Sequence, residues 1–119
     1  MAKITGLGGA FMRANDPKAL CAWYEKHLGV TSKYGSFMFE AKDQRGKSVV
    51  SFFPKTSDHF PLSQPAMINF QVDDLDALLA KLADEGVAVD PKRDAADYGK
   101  FGWFTDPEGN RVELWEPAS

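Results

Sequence analysis

Apolar residues recur at helical spacing twice along this chain. In DPKALCAWYEKHLGV, residues 16–30, the positions Leu20, Trp23, Tyr24, His27 and Leu28 fall on one face of a predicted helix. Asp16 caps it, Pro17 takes its first position and Gly29 stops it. In DDLDALLAKLADEGV, residues 73–87, the stripe is Leu75, Leu78, Leu79 and Leu82, between an aspartate cap at Asp73 and a stop at Gly86. Asp16 to Gly29 and Asp73 to Gly86 are equal intervals, so the chain repeats one plan.

The flanks repeat as well. Ahead of the first helix, ITGLGGAFMRA (residues 4–14) predicts a strand; ahead of the second, AMINFQV (residues 66–72) does, with Ile68, Phe70 and Val72 alternating against Met67, Asn69 and Gln71. After the first helix, strands are expected at about Thr31–Tyr34, Phe37–Ala41 and Ser48–Phe53. After the second they are expected at Ala88–Pro91, Phe101–Thr105 and Arg111–Trp115. The segment PKTSDHFPLSQP, residues 54–65, divides the two sets. The expectation is one domain over residues 1–119, built from two βαβββ modules at about 1–57 and 65–119. This is an α+β fold. One amphipathic helix shields only one face of four strands, so two modules form a curved, barrel-like mixed sheet with a second, concave face around a cleft.

Strand parity says what lies on that face. Val112 and Leu114 suit the helix-covered side, which sends Arg111, Glu113 and Trp115 into the cleft. Met67, Asn69 and Gln71 go the same way. Phe11 and Arg13 share a face with Gly9, Val49 and Phe53 share one with Ser51, and Trp103 points opposite to Phe104. The candidate ligand contacts are therefore Phe11, Ser51, Phe53, Met67 and Asn69, together with Trp103, Arg111, Glu113 and Trp115. Aromatic walls with a few polar anchors suit a flat organic ligand. Two alternatives stay open: the aromatics fill the interior themselves, or Glu113 is a structural carboxylate paired with Arg111 or a neighbouring strand. Tyr98 and Lys100 are read as lying on a loop beside the cleft.

Composition narrows the classes. A chain of 119 residues that is 44% hydrophobic can build a core, and disorder is not expected. A net charge of −3 without a basic block argues against nucleic acid. No apolar run is long enough to span a bilayer, and MAKITG lacks a signal-peptide core, so no membrane role is expected. The single cysteine, Cys21, has no internal disulfide partner, which fits a reducing cytoplasm; on its helix it reads as a small buried hydrophobe rather than a nucleophile.

The doubled plan, carried by NDPKALCAWYEKHLGV, INFQVDDLDALLAKLADEGV and GWFTDPEGNRVELWEP, resembles the vicinal oxygen chelate superfamily. That superfamily includes glyoxalase I, bleomycin-resistance proteins, fosfomycin-resistance enzymes and extradiol dioxygenases. The likeness spans nearly the whole chain. Asp106, Pro107 and Gly109 also occupy favoured positions of a type I turn between two antiparallel strands. The resemblance implies a divalent ion, held by His or Glu side chains on the first and last strands of each module and chelating two adjacent substrate oxygens. Matched position by position, Gly9, Ser51 and Met67 stand where three of those ligands are expected, and only Glu113 is retained. No metal ligand set and no cofactor are expected, and a divalent metal enters only if the degenerate site is rebuilt.

Of the two histidines, His27 lies on the first helix and reads as packed or surface-exposed. His59, in the linker, can fold over the cleft mouth as a ligand-facing or proton-transfer group. The resemblance favours a small-molecule-binding protein like the bleomycin-resistance proteins, with Glu113 the candidate catalytic group if the chain is an enzyme. The alternatives are a metal-dependent glyoxalase-like lyase, isomerase or dioxygenase, and an interaction module whose cleft is filled by its own side chains. A homodimer is implied too, with the cleft in some members assembled from modules of two subunits.

Overall fold

The computed structural model describes residues 2–3, 7–45 and 47–118. Helix α1 runs Pro17–Leu28, capped as expected: the Ala19 amide donates to Asp16 Oδ1 at 3.0 Å, and Gly29 closes the helix with φ of 72°. Two residues on, Ser32–Lys33 (β1) and Ser36–Phe37 (β2) form a hairpin. Its turn residues Tyr34 and Gly35 have φ of 55° and 77°, the mirror-image geometry that two-residue hairpins require.

The second half holds the main sheet. Asn69–Gln71 (β3) leads into helix α2, Leu75–Asp84, followed by Ala88–Val89 (β4), Asp94–Ala96 (β5), Gly99–Thr105 (β6) and Arg111–Pro117 (β7). The cap of α2 is Asp74, one residue later than the Asp73 read from the sequence, and its Oδ1 accepts from the Ala77 amide at 3.1 Å. Strand β7 lies between β3, to which it is parallel, and β6, to which it is antiparallel; β4 and β5 share the far edge of β6. Strand β5 has no counterpart in the sequence reading. It is short, polar and exposed along its length, so it carries no alternation to read.

The core lies between this sheet and the helices. Leu75, Leu79 and Leu82 of α2 and Tyr24 of α1 pack on Phe104, Val112 and Leu114, all buried. Gly102 permits the close approach of α2: a Cβ there would lie 2.5 Å from Leu79 Cδ1.

The turn that carried the family likeness is a joint. Asp106, buried, accepts from the amides of Glu108 and Asn110, each at 2.9 Å, which folds the turn. Its other oxygen accepts from the Tyr24 hydroxyl at 2.8 Å. Burial first, then the Asp106 charge, pushes the Tyr24 pKa well above its ordinary 10.0. Glu108 reaches the start of α1, accepting from the amides of Asn15 at 3.0 Å and Asp16 at 3.1 Å. At the other end of α1, buried His27 meets Glu85 at 2.8 Å, and Lys81 donates to the His27 carbonyl at 2.7 Å.

The α+β class and the paired helices match the expectation; the sheet of the first half does not. Residues 7–14 and 48–53, expected as strands, contain none, and the expected strand Phe37–Ala41 shrinks to β2 before a single 3-10 turn at Ala41–Asp43. The start of the first expected strand, residues 4–6, lies outside the described residues. The reason is pairing: a strand needs a ladder partner, and among the described residues β3 has one only in β7. The Gln71 side chain, rather than the β3 backbone, holds the passing chain, accepting from the Arg45 amide at 3.0 Å and donating to the Lys47 carbonyl at 3.2 Å. The radius of gyration is accordingly large, 14.8 Å against about 13.5 Å for a compact chain of this length.

Candidate ligand-binding face around Glu113

Along β7 the side chains alternate as read: Val112 and Leu114 enter the core, and Arg111, Glu113 and Trp115 point away from the helices. The register of the three central strands puts Asn69 of β3 and Trp103 of β6 directly opposite Glu113. Both turn their N–H groups to its carboxylate. Asn69 Nδ2 donates to Oε1 at 2.7 Å, and Trp103 Nε1 donates to Oε2 at 3.0 Å. Glu113 is part-buried, with 12% of its side chain exposed, and among the described residues no Lys or Arg pairs with it. Arg111 does not pair with it.

A third contact comes from the linker. His59 Nε2 lies 3.1 Å from Glu113 Oε2, so with the carboxylate ionised this nitrogen carries the hydrogen. The imidazole stacks on Phe53, with centroids 5.0 Å apart and planes at 13°, and meets Trp103 edge-on at 5.7 Å. Arg111 braces the arrangement: its Nε donates to the His59 carbonyl at 3.2 Å, and its guanidinium lies 5.2 Å from the Trp103 ring centre. Its remaining charge pairs with Asp90 at 2.9 Å. The Lys92 amide, and then Arg111, hold the Asp90 carboxyl below its ordinary 3.8. Gln64 clips the linker to the end of β7, its amide exchanging two 2.9 Å hydrogen bonds with the Arg111 backbone.

One rung along, Trp115 stacks on Phe101, with planes at 3° and centroids 6.1 Å apart, and donates from Nε1 to the Tyr98 carbonyl at 2.9 Å. Two aromatic groups therefore lie on this side of the sheet: Trp103, buried beneath His59, and the stacked pair Phe101 and Trp115. Glu113 lies beside Trp103 on one rung with Asn69 on its other flank, and Gln71 flanks Trp115 on the next.

Other expected contacts stand apart in the single chain. Phe11 is 96% exposed and walls nothing, because the strand meant to carry it has no partner. Ser51 is exposed for the same reason, and neither it nor half-buried Met67 hydrogen-bonds to Glu113. Lys100 is also relocated: it lies in β6 and pairs with Asp76 of α2 at 3.2 Å, on the helix side. Tyr98 does lie on a turn, exposed, beside Trp115. Sequence periodicity has no signal for the linker contacts. Gln64, Asp90 and Lys92, whose ammonium lies 5.3 Å from the Trp103 ring centre, were not singled out.

The donor set does not suit a divalent ion. Both oxygens of Glu113 already accept N–H groups, from Asn69 and Trp103. Among the described residues no group of three or more His, Cys, Asp or Glu converges. Hollows of about 350 Å³, beside Asp76, Arg93 and Phe101, and about 660 Å³, beside Asp43, Arg45 and Gln71, include neither Glu113 nor Trp103. Over Glu113 the surface is occupied by His59.

Residues 6–114 match the family model of the Glyoxalase/Bleomycin resistance protein/Dioxygenase superfamily. No curated protein matches the chain. Among solved structures, TnmS3, an antibiotic binding protein from Streptomyces sp. CB03234, is 28% identical over 88% of this chain and 89% of that one, with a TM-score of 0.55. A protein from the mobile metagenome of V. Pseudocholerae is 20% identical over 100% of this chain and 99% of its own, with a TM-score of 0.63. A superfamily member from Sphaerobacter thermophilus DSM 20745 is 18% identical over 95% and 98%, with a TM-score of 0.58. The last two likenesses show the fold alone.

Proposed function

The chain belongs to the Glyoxalase/Bleomycin resistance protein/Dioxygenase superfamily, and on that premise we propose that it binds a flat, aromatic organic molecule on the Glu113 face without a metal ion. The observation that carries this reading is the part-buried carboxylate of Glu113, held by the N–H groups of Asn69 and Trp103 rather than by Lys or Arg, beneath His59 and beside the Phe101–Trp115 stack. Rings supply contact area, and Glu113 with Asn69 fixes orientation. TnmS3 is an antibiotic binding protein, which supports a small organic molecule as the class of ligand. Turnover through a chelated ion would need ligands that Gly9, Ser51 and Met67 do not supply.

The functional unit in this proposal is a homodimer. Phe11, Phe52, Val49 and Val50 are exposed along segments whose sequences read as strands, and a second copy supplies the missing partner and closes the cleft. A cytoplasmic setting fits Cys21, which has no disulfide, and no helix among the described residues is long and apolar enough to cross a membrane.

The test is a titration of the purified chain with a panel of flat aromatic compounds and antibiotics, followed by tryptophan fluorescence. Saturable quenching that is lost in Trp103→Phe is expected. A second reading, a face filled by its own side chains and used as an interaction module, is favoured by the position of His59 over Glu113. It takes over if no compound in the panel binds.

A further inference from the structure

His59 shows what the Glu113 site selects. A flat ring lies against Phe53 and meets Trp103 at a right angle, and a ring nitrogen lies 3.1 Å from Glu113 Oε2, the donor of that hydrogen bond when the carboxylate is ionised. Those are the contacts that a small aromatic ligand would make. They come instead from a residue of the linker, residues 54–65, on a side chain still 26% exposed. The linker has its own supports. The Ser57 amide donates to the Pro54 carbonyl at 2.8 Å, the Gln64 amide to the Pro61 carbonyl at 2.9 Å, and Gln64 is clipped to β7. The imidazole can therefore turn out toward solvent while the linker keeps its course. Glu113, by contrast, is fixed from both neighbouring strands by Asn69 and Trp103.

We propose that His59 is a tethered competitor seated in the ligand's place, and that the ligand which displaces it is a flat ring carrying an N–H donor on its edge, an azole-like heterocycle or an aromatic amine. This deepens the binding role assigned above to the same face and rests on it. The selectivity follows from Glu113: with Asn69 and Trp103 already donating to it, its carboxylate loses one N–H when His59 leaves, and only a ring that returns an N–H restores it. A ring without one leaves that acceptor short. The competitor also sets the apparent affinity, because a site closed in about nine molecules of ten binds about tenfold more weakly than the open site.

Benzimidazole is the probe, a flat ring with one N–H. Isothermal titration of His59→Ala is expected to give an affinity about tenfold above that of the unaltered chain, and Glu113→Gln placed in the His59→Ala background removes the gain. A gain below about twofold overturns the proposal. If His59→Ala fails to fold, the unaltered chain decides the matter by NMR, since its only histidines are His27 and His59. The His59 ring signals are expected to shift toward solvent-exposed positions as benzimidazole saturates, with those of buried His27 unmoved. Unmoved His59 signals at saturation, or no saturable binding, overturn the proposal. Naphthalene, a flat ring without N–H, separates the two levels: naphthalene binding as tightly as benzimidazole, with His59 in place, leaves aromatic binding standing and defeats this inference. If no flat ring binds either protein, both fall.

Discussion

The two halves of the chain read alike in sequence and fold differently. Each has an aspartate-capped amphipathic helix with strand-like segments around it, yet the second half closes a sheet over its helix while the first forms only a hairpin. Most exposed large hydrophobic residues follow the same division: Leu7, Phe11, Met12, Met38, Phe39, Val49, Val50 and Phe52 belong to the first half, against Tyr98 in the second and Leu62 in the linker. Alternation measures how well a segment fits a sheet, but a sheet also needs a neighbour. Strands β6 and β7 have one at once, across the short DPEGN turn; residues 7–14 and 48–53 are separated by the helix and find none among the described residues.

Truncations are expected to break this symmetry most strongly. Leu114→Ala, at a fully buried position, should cost about 2–5 kcal/mol in chemical denaturation. Val50→Ala, at an exposed one, should change monomer stability by less than about 0.5 kcal/mol. Equal losses would mean that the first half has a core of its own. The proposed dimer gives the next effect. Replacing Phe11 and Phe52 together by Asp should weaken self-association about a hundredfold or more in sedimentation equilibrium, since in the proposed dimer each ring buries its aromatic area in the interface. A chain that sediments as a monomer before substitution would refute the dimer.

The joint between the halves ranks third. Tyr24→Phe removes the hydroxyl that donates to buried Asp106 and should cost about 1.5–3 kcal/mol, the range for a hydrogen bond to a charged group. Acid should loosen the same joint. Asn15 and Asp16 amides hold Glu108 below its ordinary 4.5, and the His27 contact does the same for Glu85. Both folded pKa values are depressed, so this stability is present above 4.5 and is lost as pH falls through the folded values. Urea midpoints should drop between about pH 5 and pH 3, and less steeply in Glu108→Gln.

Much of the site was legible because a strand has a fixed period. Once Val112 and Leu114 are assigned to the core, Glu113 must face the other way, and the same rule places Asn69 and Trp103 beside it. Caps and stops gave both helices to within a residue. Period-two reasoning fails where pairing is decided by distant chain, as at Phe11 and Ser51. It also says nothing about a proline-punctuated linker, so His59 remained only an option there and Gln64 went unread. The DPEGN turn teaches a related point: a motif specific enough to mark a family serves here to fasten α1 to the sheet.

The central claim is that Glu113 serves a ligand rather than the scaffold, and Glu113→Gln tests it most directly. With no Lys or Arg to orphan among the described residues, and with the Asn69 amide able to turn its oxygen toward the new N–H₂ group, Gln keeps an acceptor for Trp103. Thermal unfolding should therefore show a loss of no more than about 1 kcal/mol. Calorimetric titration with the tightest-binding flat aromatic compound of the panel should show affinity reduced about tenfold. Unchanged affinity together with a stability loss of about 3–5 kcal/mol would contradict the account and make Glu113 a structural carboxylate.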